Sequence, residues 1–248
     1  MSDSNAIRLA MWSGPRNIST AIMRAWGNRS DTFVCDEPLY AHYLDVTRKP
    51  HPGIDEVIAA GETDWRKVVA WLTGPIPEGK PIFFQKHMTH HLLPHISRDW
   101  LGSVTNCFLI RHPRDVLRSY TKIVDTPTAE DVGFPQQAEI FDWACRHTGK
   151  TPPVVDAVDV RNRPRDILGA LCDAVGVPFQ KAMLSWAPGP RATDGVWATY
   201  WYKEVETSSC FRPTAAGKSP PEPLPDWLND VYEQCLGHYE KLYAQRLT

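Results

Sequence analysis

No two of the six cysteines, at positions 35, 107, 145, 172, 210 and 235, form a Cys-x-x-Cys pair, which excludes a zinc ribbon and a dithiol redox motif. Several stand in apolar runs, where a reduced thiol packs as a small hydrophobe, so a reducing, cytoplasmic setting is expected. No stretch approaches the ~20 apolar residues of a membrane-spanning helix, and no charged-then-apolar leader precedes Ile7. A membrane partner is therefore not expected. Neither sign of charge dominates: 27 Lys and Arg stand against 29 Asp and Glu, a net charge of -2. That balance gives no general attraction to nucleic acid, and any bound anion must be held by locally placed Arg and Lys. No internal repeat is present, and only Ser219 to Pro225 approaches low complexity.

What is present suits one globular α/β domain over residues 1–248. Hydrophobic residues make up 42% and charged residues 23%, while 22 prolines point to many irregular connections. Ile7 to Trp12 reads as a strand ending at Ser13-Gly14-Pro15, and Ile18, Ile22, Ala25 and Trp26 then share one face of a helix. Further strands are expected at Thr32–Cys35, Ile82–Phe84, Val104–Ile110 and Pro153–Val160. Helices are expected near 54–60, 65–72, 114–123, 135–147, 163–175 and 226–243, with another between 84 and 104. The alternation implies three layers, α/β/α, around a central parallel sheet, with function outside the strands' C-terminal ends. Residues 186–225 form an aromatic, Pro-rich, irregular segment, and Trp197, Tyr200 and Trp201 within it, with Trp12, read as core or as stacking surface.

Two segments present anion-binding chemistry. Gly14-Pro15-Arg16-Asn17-Ile18-Ser19-Thr20 lies where a strand becomes a helix, so N–H groups, a guanidinium and two hydroxyls converge as a phosphate cradle. A plain turn capped by Asn17 or Ser19 is the alternative. The spacing is not that of a Walker A loop, which makes ATP a poor ligand. In the second segment a strand delivers Arg111 to its end and a helix presents Ser119 about two turns later, a place for a second phosphate. Here the alternative is a basic helix start with Ser119 merely exposed. Asp36-Glu37-Pro38-Leu39-Tyr40 follows the second strand, where Glu37 and Tyr40 would line the crevice. His87, His91 and His95 repeat at helical spacing, yet without nearby carboxylates or cysteines metal is not expected.

Gly14-Pro15-Arg16 followed by Ser19-Thr20 resembles the 5′-phosphosulfate loop of the nucleotide-dependent sulfotransferases. Arg111 and Ser119, with Pro113, Asp115, Val116 and Tyr120, resemble that family's 3′-phosphate segment, including the Arg-to-Ser separation. Val154 to Phe179, with Asp159 and Gly176-Val177-Pro178-Phe179, is similar to the family's strand, acidic residue, helix and Gly-Leu-Pro-Phe pattern. The resemblance spans most of the chain and fades after Trp186. It implies a P-loop nucleotide-binding fold and 3′-phosphoadenosine 5′-phosphosulfate as sulfuryl donor, held by residues 14–20, Arg111 and Ser119, with a hydroxyl or amine of a small molecule as acceptor. It further implies Arg16 at the leaving phosphate, Lys86 at the sulfuryl oxygens and His87 as general base, with His90 in reserve.

The chain departs from the family in four places. Asn17-Ile18 replaces Ser-Gly, and Ala21 stands where animal cytosolic members carry an adenine-stacking Trp. Lys86-His87 lacks the Thr of Lys-Thr-His, and no Arg-Lys-Gly appears near the C-terminus, where Arg212 and Lys218 are the available cations. Two other readings stand beside the sulfotransferase: a nucleotide kinase or hydrolase with a divergent loop, and a nucleotide-binding protein without turnover.

Overall fold

In the computed structural model, which describes residues 6–214 and 223–248, strand β1 (Ile7–Ser13) forms the middle of a five-stranded sheet. Its residues from Leu9 to Ser13 are all inaccessible to solvent, as expected of a strand covered on both faces. Around it come α1 (Ser19–Gly27), β2 (Thr32–Asp36), α2 (Tyr40–Thr47), α3 (Ile54–Ala60), α4 (Trp65–Thr73), β3 (Ile82–Met88), β4 (Thr105–Ile110), α5 (Pro113–Tyr120) and α6 (Phe134–Thr148). The chain continues through β5 (Val154–Asp156), α7 (Ala157–Asn162), α8 (Pro164–Ala174), the single turns α9 (Ala198–Trp201) and α10 (Lys203–Glu206), and α11 (Asn229–Tyr243). The strand order is β2-β3-β1-β4-β5 and every pairing is parallel. The expected three-layer α/β/α arrangement is therefore the one observed.

Strand alternation divides the core in two. Leu9, Met11, Ile82 and Phe84 pack with Ile22, Trp26, Ile167 and Leu171 of α1 and α8. Ala10, Trp12, Phe83 and Phe108 pack with Val68, Leu72, Ile140 and Tyr239 of α4, α6 and α11. Each fully buried Leu, Ile or Phe contributes about 1.5–3 kcal/mol, so both layers hold the sheet firmly. The Trp12 indole N–H is satisfied inside the second layer by Asn106 Oδ1 at 2.9 Å.

Four local expectations change. β3 does not stop at Phe84 but runs to Met88, so Gln85, Lys86 and His87 lie within a buried strand. The helix expected between 84 and 104 is absent; 3₁₀ turns at Thr89–His91 and Asp99–Ser103 replace it, consistent with Pro94 interrupting a helix. The strand expected at 153–160 ends after three residues, because the Asp156 side chain accepts from the N–H groups of Val158 and Asp159 and caps α7. α2 was not expected at all. The cation Lys218 lies outside the described residues. No helix among the described residues is long and apolar enough to cross a membrane.

Candidate active site

The loop after β1 is closed by its own side chains. Arg16 takes a left-handed conformation at φ 55°, whereas Ile18, standing where a Gly is usual in the family, has an ordinary φ of -89° and needs no glycine. Asn17 fixes the loop twice: its Oδ1 accepts from Ile18 N–H at 2.8 Å, and its Nδ2 donates to the Leu109 carbonyl of β4 at 3.1 Å. Helix α1 then opens with no side-chain cap, leaving first-turn N–H groups directed at the cleft. Gly14 lies behind this loop. A Cβ there would come within 2.5 Å of the Val132 carbonyl oxygen, so the position demands glycine for close approach rather than for backbone angle.

The two anion-binding segments meet in space. Arg16 Nε donates to Ser119 Oγ at 2.9 Å, and Arg111 Nη1 donates to the Arg16 carbonyl at 2.6 Å. Burial pushes the Arg111 guanidinium below its usual range; Asp115 opposes that push, and Arg161 and Arg16 reinforce it. A cationic cluster of this kind favours an anion among its members. Pro15, Arg16, Asn17, Ile18, Ser19, Thr20, Arg111 and Ser119 all line one cleft of about 1680 Å³, and Arg161 and Arg212 line it as well. Trp186 and Phe211, in edge-to-face contact at 5.1 Å, add an aromatic wall from the irregular segment.

Across the cleft, the ends of β2 and β3 form a buried charge cluster. Lys86 Nζ bonds Asp36 Oδ1 at 2.7 Å, Glu37 Oε1 at 2.5 Å and Tyr202 Oη at 2.7 Å, while Tyr202 Oη donates to Asp36 Oδ2 at 2.6 Å. Burial alone would lower the Lys86 pKa, but the Asp36 and Glu37 carboxylates outweigh it and hold it well above its ordinary value. Glu37 is pushed up by burial, with Lys86 opposing and Asp36 adding to the rise. Its backbone is left-handed at φ 42°, a conformation that disfavours a residue with a Cβ and that projects Glu37 into the cleft lining.

His87 is not at this cluster. One residue beyond Lys86 on a strand, it faces the opposite layer, stacked on Trp12 at 4.4 Å with Trp100 at 5.7 Å. It is 1% exposed, lies 3.3 Å from Gln85 Oε1 and is absent from the cleft lining. Burial, aided by Lys86, holds its pKa down at about 3. The geometry thus places the His87 imidazole outside the cleft, on the opposite face of the sheet from Lys86. His90 does line the cleft, with its Nδ1 buried and unpartnered; burial, with Lys49 adding to it and Asp131 opposing, lowers it to about 4. Tyr40 lines the cleft stacked on His91 at 4.3 Å. His95 pairs with His42 instead, and among the described residues no group of three or more His, Cys, Asp or Glu is arranged to hold a metal ion.

Arg161 and Tyr202 line the cleft and Asp36 bonds Lys86 without having been singled out from the sequence, and His91, weighed there only as a metal ligand, lines the cleft as well. Asp36 had a signal, since it adjoins Glu37 at a strand end. Tyr202 had none, because it arrives from the irregular segment.

Comparison with known proteins gives the family. Residues 7–246 match the family model described as a sulfotransferase domain. The chain is 33% identical over 231 residues to branched-chain-amino-acid aminotransferase-like protein 2 of Arabidopsis thaliana, and 35% identical over 234 residues to protein 1 of that name. Each alignment covers 93% of this chain, which spans only 40% of the length of those relatives. Among solved structures, the chain is similar to the sulfotransferase domain of the curacin biosynthetic pathway, at TM-score 0.52 and 17% identity over 92% of this chain and 97% of the other. It is also similar to the sulfotransferase domain of the Synechococcus PCC 7002 olefin synthase, at 0.53 and 18% over 93% and 94%, and to a sulfotransferase from Alicyclobacillus acidocaldarius, at 0.54 and 10% over 98% and 97%. At these identities the structures speak for the fold, and the family model covering nearly the whole chain speaks for descent: the chain belongs to the sulfotransferase-domain family.

Proposed function

We propose that this chain transfers a sulfuryl group from 3′-phosphoadenosine 5′-phosphosulfate to a small-molecule acceptor, with Glu37 as the base. The observation that carries the proposal is the convergence of Arg16, Arg111 and Ser119 beside the uncapped start of α1. Two adjoining anion-binding segments on one cleft suit a donor that carries two phosphate groups. The first-turn N–H groups of α1 and Arg16 would hold the 5′-phosphosulfate, and Arg111, Ser119 and the neighbouring Arg161 the 3′-phosphate. As the S–O bond breaks, charge grows on the departing phosphate, where Arg16 and the loop N–H groups stabilise it. Lys86 would neutralise the sulfuryl oxygens.

Glu37 takes the role of base because it lines the cleft, contacts Lys86 and has a burial-raised proton affinity. The six free thiols suit a cytoplasmic setting. Calorimetric titration tests the donor site: adenosine 3′,5′-bisphosphate should bind the wild-type chain, and Arg111→Ala should weaken it at least tenfold. Absence of binding to the wild-type chain overturns the proposal.

A further inference from the structure

The acceptor end of the cleft is marked by charge imbalance. Asp36 and Glu37 share the single ammonium of Lys86, so this buried cluster of two carboxylates, one ammonium and the Tyr202 hydroxyl carries one negative charge in excess. Side-chain exposures of 1% for Lys86, 2% for Asp36 and 10% for Glu37 leave water little room to compensate. Of the two carboxylates, Asp36 is also tied to Tyr202, whereas Glu37 lines the open cleft.

A second observation points outward from Glu37. His91 is 2% exposed and lines the same cleft, and its Nδ1 has no hydrogen-bond partner and lies 3.9 Å from Glu37 Oε2. That gap is too long for a hydrogen bond. Burial, joined by His90 and Lys86, holds His91 far below its usual pKa, so it brings no positive charge and offers a neutral nitrogen instead.

The surroundings are aromatic. Tyr40 and Tyr43 stack on His91 at 4.3 and 4.7 Å, Tyr40 meets His51 edge-on, and His51 contacts Tyr200 and Trp201. All of these line the cleft. Aromatic faces beside a carboxylate that shares its one cation with a second carboxylate form a setting that attracts ammonium groups. Two cations on the rim of this end are paired with carboxylates of their own, Arg48 with Asp45 and Lys49 with Asp131.

Resting on the sulfotransferase reading above, we infer that the acceptor is a primary amine, bound as its ammonium between Glu37 and His91 within the aromatic wall of Tyr40, Tyr43, Tyr200 and Trp201. Glu37 removes one ammonium proton and frees the nitrogen lone pair. The N–S bond forms as the S–O bond to the 5′-phosphate breaks, and the S–O electron pair leaves on that phosphate. A second N–H proton is released to solvent, giving a sulfamate and adenosine 3′,5′-bisphosphate.

The test uses the full chain saturated with adenosine 3′,5′-bisphosphate, titrated with 2-phenylethylamine and with its neutral isostere 2-phenylethanol at pH 7.5. The amine should bind at least tenfold more tightly, and Glu37→Gln should abolish that preference while keeping the bisphosphate affinity within about twofold. Equal affinities, or tighter binding of the alcohol, overturn the amine assignment. Failure of the bisphosphate itself to bind the wild-type chain overturns the sulfotransferase reading instead, so the two failures are told apart in one experiment.

Discussion

Lowering the pH from 7.5 to 5 protonates histidines in the unfolded chain, while the fold excludes protons from His87, which burial between Trp12 and Trp100 holds at about 3. Its folded pKa lies below the unfolded value of about 6.5, so the unfolded state binds more protons between those limits. The stability that neutral His87 contributes is complete above pH 6.5 and is lost as the pH falls from there toward 3. At pH 5 the shortfall is 1.5 units, or about 2 kcal/mol for this one group. His90, held at about 4, adds a similar amount, and together they remove about 4 kcal/mol from a total that is typically 5–15 kcal/mol. Glu37 and Asp156 act in the opposite sense, because burial raises them and their protonation relieves the folded state as the pH falls. The clean measurement is therefore a difference. Urea unfolding of the wild-type chain and of His87→Phe, followed by tryptophan fluorescence at pH 7.5, 6 and 5, should show the variant losing about 1.4 kcal/mol less per pH unit between 6 and 5. Parallel lines for the two proteins refute the assignment of a buried, neutral imidazole.

Two other substitutions probe the cleft. Gly14→Ala places a methyl group 2.5 Å from the Val132 carbonyl oxygen; it should destabilise the fold by about 1–3 kcal/mol, read as a lower urea midpoint, and weaken bisphosphate binding by shifting the Arg16 loop. Glu37→Gln should lower kcat about 10²–10⁴-fold with donor affinity nearly unchanged. Because a base must be ionised, wild-type kcat should hold above the raised Glu37 pKa and fall as the pH drops through it, a profile that steady-state assays with labelled donor would show and that the glutamine variant should lack.

The parts legible in the sequence are those where local pattern and tertiary outcome coincide. β1 with α1, and β4 with α5, combine an apolar run, a break at Gly14-Pro15 or Pro113, and helical spacing, and the fold keeps those boundaries within a few residues. β3 fails the same test because its second half is polar. Gln85 is satisfied by the Leu72 carbonyl, Lys86 by two carboxylates, and His87 by aromatic stacking. None of those partners is close in sequence, so the sequence reads as a strand end where the strand only changes partners. α2 is similarly hidden: Pro38 precedes it, and its buried face is Tyr40, Tyr43 and Leu44 held by α3 and the segment around Trp197.

The missing threonine between Lys86 and His87 decides which of the two side chains reaches the cleft. In a Lys-Thr-His strand end the lysine and histidine are two residues apart and share a face; with Lys86 and His87 adjacent, strand alternation sends them to opposite faces. Lys86 keeps the cleft, where Asp36, Glu37 and Tyr202 hold it, and the residue two places on is Met88, which lines the cleft without a titratable group. His87 is consigned to the layer of Trp12 and Trp100, and its low proton affinity follows from that burial. The proposed base comes from a neighbouring strand end, since β2 lies directly beside β3 in register, with Asp36 opposite Lys86. The next residue is Glu37, whose left-handed backbone accepts a cost of about 1–2 kcal/mol to turn the chain at that point, and whose N–H is secured by the Lys86 carbonyl at 2.9 Å. In the proposed mechanism the base is thus a carboxylate at the end of the strand beside Lys86.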